Sequence, residues 1–565
     1  MPFAAVTPIS SQRLTTFLMF NKAATQFQKL KSSIDWPLLL FLLFFLDVKL
    51  AVKLVAIVAI YVWRFDFKFG FSLKGSRLSL FYPILILLGI ANVFLNGNLT
   101  AHNYLPVFAT GIAFWLICIL VMHQIKLSVE RTAPEKIHNA ILAFFVLNAI
   151  VSALTLLVII WQTKSFNPYL YQGEFQKYFV NTGDFIHGIT FDNSTTNAVL
   201  NAIGVIYFLT RKNALMVLVC MAVLLMAGSN FSNVILLVIL ALLFVFKTSR
   251  EQKSLIVVCL MFVVVFMAKI SPQNNDYFMN TVRMMVFKKK FVSPWPVPPV
   301  RLTLRVDSTL TPEERRLKTA MLYLDSLHSG YRTKQVAEVS DKKATVTDAG
   351  KILVPKVNLD APEYQNLPTT PPEQRQLADF VAVHKDSLPI AGQPRHFIPT
   401  LGKVIGFKQT VNFLKTHPAK MFTGAGMGNF SSKLAFRATG LKFTGGYPAK
   451  LVYISNDFLK NHLDVYLNFF SRGASMHSLT NSPFSVYDQL LSEYGLLGLI
   501  ALFVCYLWFF AKDYKYLTYG APLLLLVSAL FFIDYWFEQL SVVIMFELLL
   551  FLNIKEEKLS VRNEQ

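Results

Sequence analysis

The chain has 565 residues, 54% of them hydrophobic, with 51 phenylalanines, a mean hydropathy of +0.47 and a formal net charge of +21. A soluble globule cannot hide that much apolar surface, because part of any globule faces water, so long uncharged runs mark a membrane protein. The charge would suit nucleic acid, but the basic residues fall between apolar runs and in one long polar segment. No basic-aromatic module of an RNA or DNA binder accompanies them, which argues against that class.

The first 34 residues are polar and basic (Arg13, Lys22, Lys29, Lys31). No small-residue cleavage site follows the first apolar run, so they read as an uncleaved tail rather than a signal peptide. Apolar runs then predict about twelve spans: 35–47, 50–64, 77–96, 103–123, 137–162, 195–210, 213–228, 231–247, 253–270, 485–511, 521–533 and 536–553. Asp47-Val48-Lys49 reads either as a turn between the first two runs or as a kink in one long helix. Charge placement favours the turn. The N-terminal tail, Arg64/Lys68/Lys74/Arg77, Lys126/Arg131/Lys136, Arg211/Lys212, Lys247/Arg250/Lys253, Lys512/Lys515 and Lys555/Lys558/Arg562 then share one side. The alternate connections 97–102, 229–230 and 534–535 carry no Lys or Arg, so the positive-inside bias puts both termini in the cytoplasm. The predicted fold class is an all-α polytopic membrane protein with one large external loop domain.

That topology leaves 163–194 and the very long 271–484 outside the cytoplasm. The long segment holds roughly 28 Lys and Arg against 15 Asp and Glu, a surplus of about 13. A basic external surface beside a membrane suits an anionic ligand such as a lipid diphosphate, or plain attraction to anionic headgroups. The four cysteines (Cys118, Cys220, Cys259, Cys505) all lie in apolar runs, so the long segment is expected to fold without disulfides or a cysteine-ligated metal. Its stretches 291–300 and 361–373 are proline-rich and sustain neither helix nor sheet interior. Between them, 311–328 reads as an amphipathic helix with Thr311 as N-cap and Glu314 completing a capping box. Residues 335–360 alternate weakly, like a strand. From 401, Val404, Phe407, Val411, Phe413 and Leu414 recur at helical spacing, predicting a helix on the membrane surface or against the bundle. The functional half of the segment is expected at 400–484, with 285–395 an elaboration.

Four stretches carry candidate chemistry. GAGMGNF at 424–430 is neither a dinucleotide fingerprint nor a P-loop, and reads as a tight turn after a helix or as backbone N–H groups lining a phosphate. HSLTNSPFSVYDQLLSEYGLLG at 477–498 places His477 just before a span that begins with Asp488 and Glu493. Carboxylates near a span's entrance need a partner or water, and Gly495 and Gly498 permit close helix packing. An imidazole there either sits inertly at the interface or takes a proton from a hydroxyl at neutral pH. HGITFDNSTTN at 187–197 (His187, Asp192, Asn193, Asn197) and the turn Gly228-Ser229-Asn230 either cap helices or line a cavity.

In order, these are a span start from Gly188 to Asn197, a Gly-Ser-Asn turn, a helix followed by Pro418 to Phe430, and LLSEYGLLGLI. The series resembles the O-antigen ligase/polymerase superfamily, bacterial membrane glycosyltransferases acting on polyprenyl-diphosphate-linked glycans. The resemblance covers 185–270 and 400–505 and leaves 285–395 outside. In that family a histidine stands where this sequence has Phe484, an arginine where it has Lys403, and a Ser-Arg turn where it has Ser229-Asn230. A divergent subfamily or an altered acceptor would account for these departures.

What the resemblance implies is transfer of a glycan from a polyprenyl diphosphate donor to a hydroxyl of lipid A core or of another glycan, without metal or other cofactor. The protein must orient two lipid-borne reactants, neutralise the leaving diphosphate and remove a proton from the acceptor. His477 is the candidate base, and Lys403, Arg437 and Arg472 are the candidate diphosphate ligands. Gly424, Gly426, Gly428, Asn429, Glu493 and Gly495 form the supporting motif, and His187, Asn193, Asn197 and Asn230 are cavity candidates. Membrane lipids are expected partners, nucleic acid is not, and a chain-length regulator stays open. The alternative reading is a polysaccharide or lipid flippase. Such a transporter would more often show internal repeats and interrupted half-helices in two matching halves, and neither is visible in the sequence.

Overall fold

The computed structural model describes residues 33–46, 50–71, 78–171, 185–191, 194–246, 248–272, 402–441, 446–470 and 482–564, with short pieces at 345–346, 352–353, 379–381 and 383. The tail before 33, Asp47 to Lys49, the Thr311 helix and the proline-rich stretches lie outside the described residues, as do Asp192, Asn193, Arg472 and His477.

The described chain is almost wholly helical. Apart from a two-residue antiparallel pairing, Thr345–Val346 with Ile352–Leu353, its elements are helices. Four are long and apolar enough to cross a membrane: Tyr104–Arg131, Pro134–Thr163, Arg250–Ile270 and Val486–Ala511. Six shorter apolar helices of 10–17 residues accompany them: Trp36–Phe45, Leu50–Trp63, Phe81–Leu95, Ala214–Met226, Asn230–Phe246 and Gly520–Leu530.

Burial sorts these helices into an inner and an outer set. Ser194–Thr210 is buried on every face, from Asn197 through Leu209. It packs against Ala214–Met226, Asn230–Phe246, Gly520–Leu530 and the C-terminal helix Ser541–Glu564. Residues 542–552 of that C-terminal helix are buried likewise. A helix apolar all round belongs at a bundle's centre, where every face finds a partner. At the periphery, Arg250–Val265 buries only Ile256 and Cys259 and turns Val257, Met261 and Val264 outward. Pro134–Thr163 exposes Ile150, Leu154, Leu157 and Trp161. Exposed stripes of this kind are what a helix presents to hydrocarbon.

Three differences from the predicted spans have local causes. The run expected at 103–123 continues as helix to Arg131. The run expected at 536–553 is two pieces, Trp536–Gln539 and Ser541–Glu564, because Leu540 adopts a left-handed φ of 67°. The second piece runs on through the charged 554–564, where the charges nearest the bundle have partners. Lys555 Nζ donates to the carbonyls of Val129 (2.7 Å) and Thr132 (2.8 Å), and Glu556 meets His138, Arg211 and Tyr519. The third difference is a break inside Val486–Ala511 at Gly495, with φ 65° and ψ −161°.

Gly402–Thr416 forms as expected and packs against the Val486 helix, so it lies against the bundle. It buries Ile405, Gly406, Thr410, Phe413 and Leu414 and leaves Val404 and Phe407 exposed.

Candidate functional site

The break at Gly495 organises the region where the polar segment meets the bundle. A regular helix would consume the carbonyls of Ser492 and Glu493. Here they are free to accept from outside. Ala425 N–H donates to Ser492 O (2.8 Å) and Gly426 N–H to Glu493 O (3.0 Å). The glycine-rich loop 424–430 therefore clasps the broken helix backbone to backbone. Gly424 and Gly495 allow this approach: a Cβ on Gly424 would lie 2.5 Å from both Glu493 O and Tyr494 N, and one on Gly495 would lie 2.6 Å from Thr423 N. Both have positive φ, 82° and 65°, which a side chain disfavours.

Glu493 completes the clasp. Its carboxylate accepts the Gly428 N–H (2.9 Å) and the Phe430 N–H (3.2 Å) and is buried. This answers the cost of a carboxylate in an apolar run: it caps a loop's N–H groups in place of water. Asn429 donates to Ala425 O (3.0 Å) and accepts from Tyr453 OH (2.7 Å). Met427 O accepts from Tyr104 OH (3.0 Å), and Asn92 donates to Thr423 O and to Glu493 O (3.3 Å). GAGMGNF turns back after the Lys420–Thr423 helix, and the N–H groups of Gly426, Gly428 and Phe430 donate to Glu493.

Beside the clasp lies a second polar group. Asp488, one helical turn before Ser492, accepts from Ser431 Oγ (2.9 Å). His462 Nε2 lies 3.8 Å from Asp488 Oδ2, while its Nδ1 meets Gln409 Oε1 (3.1 Å) and Gln409 Nε2 donates to Asp464 (2.9 Å). The imidazole is wholly buried, stacked on Phe430 with centroids 4.8 Å apart. Burial pushes its pKa down to about 3 against the pull of Asp464, so the ring is neutral at pH 7. His462 Nε2 has no hydrogen-bond partner, and Gly406 packs over the pair: a Cβ there would be 3.3 Å from His462 Cε1 and 3.5 Å from Asp488 Oδ2. At 3.8 Å the imidazole and the carboxylate are beyond direct hydrogen-bond reach, and both are closed to solvent.

Lys403 sits between these groups and the Gly520–Leu530 end. Its ammonium donates to Phe484 O (2.5 Å), Ser482 Oγ (3.1 Å) and Ile533 O (3.2 Å). Burial lowers its pKa to about 7, opposed by the carboxylates of Asp534 and Asp488. Arg437 is half-buried on the short helix Lys433–Ala438, and with Lys433 it acts electrostatically on Glu538. Glu538 accepts from Leu434 N–H (3.1 Å) and Gln489 Nε2 (2.5 Å). Four carboxylates (Asp488, Glu493, Asp534, Glu538) thus face three cations (Lys403, Lys433, Arg437). Among the described residues no three His, Cys, Asp or Glu are grouped so as to hold a metal ion.

The structure brings Gly424, Gly426, Gly428, Asn429, Glu493 and Gly495 together, with Lys403 and Arg437 around them. It puts Asn197 in a separate network. That side chain accepts from Asn148 (2.8 Å) and Asn201 (2.9 Å) and donates to Ile186 O (2.8 Å) and Ser152 (3.2 Å). One of these bonds reaches the 185–190 turn, two reach Asn148 and Ser152 on the Pro134–Thr163 helix, and one stays within its own helix. His187 stacks on Phe185 at 5.9 Å, and Asn230 opens the Asn230–Phe246 helix with its Oδ1 unpartnered. Arg472, His477 and Asn193 lie outside the described residues. His462, Thr410, Lys433, Asp534 and Glu538 were not singled out in the sequence. An acid inside FFIDYWFEQL is a visible signal, since intramembrane carboxylates call for a function or a partner. His462 carries none.

No protein-family model, curated protein or solved structure matches this chain.

Proposed function

We propose that this protein is a membrane glycosyltransferase that moves a glycan from a polyprenyl diphosphate carrier to an acceptor hydroxyl, as a ligase or a polymerase of surface polysaccharide. The observation behind the reading is the clasp: the two motifs on which the resemblance is most specific, at 418–430 and 490–500, interlock through Glu493 and paired glycines. A transferase of this kind needs a rigid platform where a polar segment meets the bilayer, to hold two lipid-borne reactants in register.

In this reading the chain crosses the bacterial inner membrane about twelve times, with both termini in the cytoplasm and 271–484 in the periplasm. His477 takes the acceptor's proton. Arg437 and Arg472 meet the diphosphate. Lys403, whose ammonium already has three acceptors, fixes Ser482 and Phe484, and with them the chain leading into the broken helix. A cation held at the diphosphate in a dry site would lower the barrier by about 3 kcal/mol.

The test is a deletion strain, with surface glycan and lipid-linked pool analysed together. Loss of long glycan with accumulation of long lipid-linked chains identifies a ligase; core bearing one repeat identifies a polymerase. An unchanged ladder and pool, with no other surface polymer lost, overturns the transferase reading in favour of transport.

A further inference from the structure

The helix Tyr104–Arg131 connects two different places. Its first residue touches the clasp through Met427, and its last lies about 40 Å away at 1.5 Å per residue. At that far end is a cavity of about 820 Å³, unrelated to the groups above. Trp36, Leu40 and Trp63 give it apolar walls, and Arg64, Arg131 and Lys136 give it charge.

We propose that this cavity binds the phosphate headgroup of an anionic membrane phospholipid, with an acyl chain along Trp36, Leu40 and Trp63. Three observations point there. The acidic group in the lining, Asp35, is already satisfied: it pairs with Arg64 and accepts from Thr132 (2.9 Å) and Leu38 N–H (3.2 Å), with 1% of its side chain exposed. Arg131 pairs with Asp66 yet keeps half its surface open, and Lys136 is exposed with no ion-pair partner among the described residues. The Pro134–Thr163 helix begins here at Ala133 without a side-chain cap, adding the positive end of a long helix to the same space. Glu135 stands in the first turn of that helix, and it and Glu130 act electrostatically on Lys555.

Charge also separates the occupants. The chain's own N-terminal segment, which ends beside the cavity, carries Arg13, Lys22, Lys29 and Lys31 and matches the cavity in sign. A phosphate diester is complementary. Tryptophans beside cations are the usual furniture of a membrane interface, where an indole meets headgroup and acyl chain together. Trp63 is 60% exposed, so its ring is available to a lipid. The proposal does not depend on the transferase reading.

The test is lipid retention by the full-length protein in neutral detergent, read by native mass spectrometry after addition of phosphatidylglycerol or phosphatidylcholine. The expected result is preferential retention of phosphatidylglycerol. Retention should weaken about thirty-fold in the double variant Arg131→Ser/Lys136→Ser, as loss of two near-surface cations at about 1 kcal/mol each implies. Trp63→Ala, a change at an exposed position, should weaken it independently and guards against a folding defect in the double variant. Equal retention of both lipids, or unchanged retention in both variants, overturns the proposal. Inorganic phosphate displacing the lipid at millimolar concentration would mark a small-anion site and overturn the assignment to phospholipid.

Discussion

Gly424 and Gly495 each lie against the backbone of the other's segment, so that neither position has room for a Cβ. The consequence is a junction made of main chain, in which loop N–H groups take the carbonyls that the break in the Val486–Ala511 helix releases.

Replacing either glycine by alanine therefore forces backbone apart at a positive φ. Gly424→Ala and Gly495→Ala are expected to destabilise by about 3 kcal/mol or more, combining overlap with left-handed strain. Gly97→Ala is the control: its φ is 62°, but nothing lies within 4 Å of a Cβ there, so the strain term alone of about 1 kcal/mol remains. Thermal unfolding midpoints in detergent measure the order. Equal midpoints for Gly97→Ala and Gly424→Ala would show that the approach is not tight.

Glu493 is a positioning residue. Glu493→Ala strands two buried N–H donors, those of Gly428 and Phe430, at about 1–3 kcal/mol each, whereas Glu493→Gln keeps one acceptor and loses about half as much. Limited proteolysis of 424–430 should speed up in the same order. If cleavage is unchanged in Glu493→Ala, the loop is held by something else.

His462 sets an acid limit. Its folded pKa of about 3 lies below the unfolded 6.5, so between these values the unfolded chain binds the extra proton and stability falls as pH falls. From pH 7 to 5 the loss attributable to this ring is about 2 kcal/mol. His462→Gln, which keeps a donor and an acceptor near Gln409, should flatten the midpoint's pH dependence across that window. A variant that keeps the full wild-type slope would assign the acid sensitivity elsewhere.

Lys403 acts in the opposite range. With a folded pKa near 7 and an unfolded 10.5, stability rises with pH between the two as the buried ammonium is relieved of its charge. Lys403→Met should remove this alkaline gain and also leave Ser482, Phe484 and Ile533 short of a donor, lowering the midpoint at pH 7. Unfolding curves at pH 7 and 9 for the two proteins decide it.

The apolar helices were legible because long uncharged runs follow from hydrophobicity alone, and the helix at 402–416 because its apolar residues recur at helical spacing. The break at Leu540 left no trace, since leucine has no preference for a left-handed φ and only tertiary packing holds it there. The glycine-rich loop and the S-E-Y-G stretch were each visible, but not that one closes on the other: nothing local in GAGMGNF names a carboxylate as its partner. His462 was invisible for a related reason. NHLDVY resembles any amphipathic turn, and its partners Gln409 and Asp488 come from distant segments.

The clasp also has an order in time. Residues 424–430 leave the ribosome before 486–511, so the loop's N–H groups wait for Glu493 and the clasp closes only once both segments have been made. Without the loop and Ser431 beside it, Glu493 and Asp488 would enter the broken helix short of the donors they now have. The shape of the Val486–Ala511 helix is thus completed by a segment synthesised roughly sixty residues earlier, so the two are settled together or not at all.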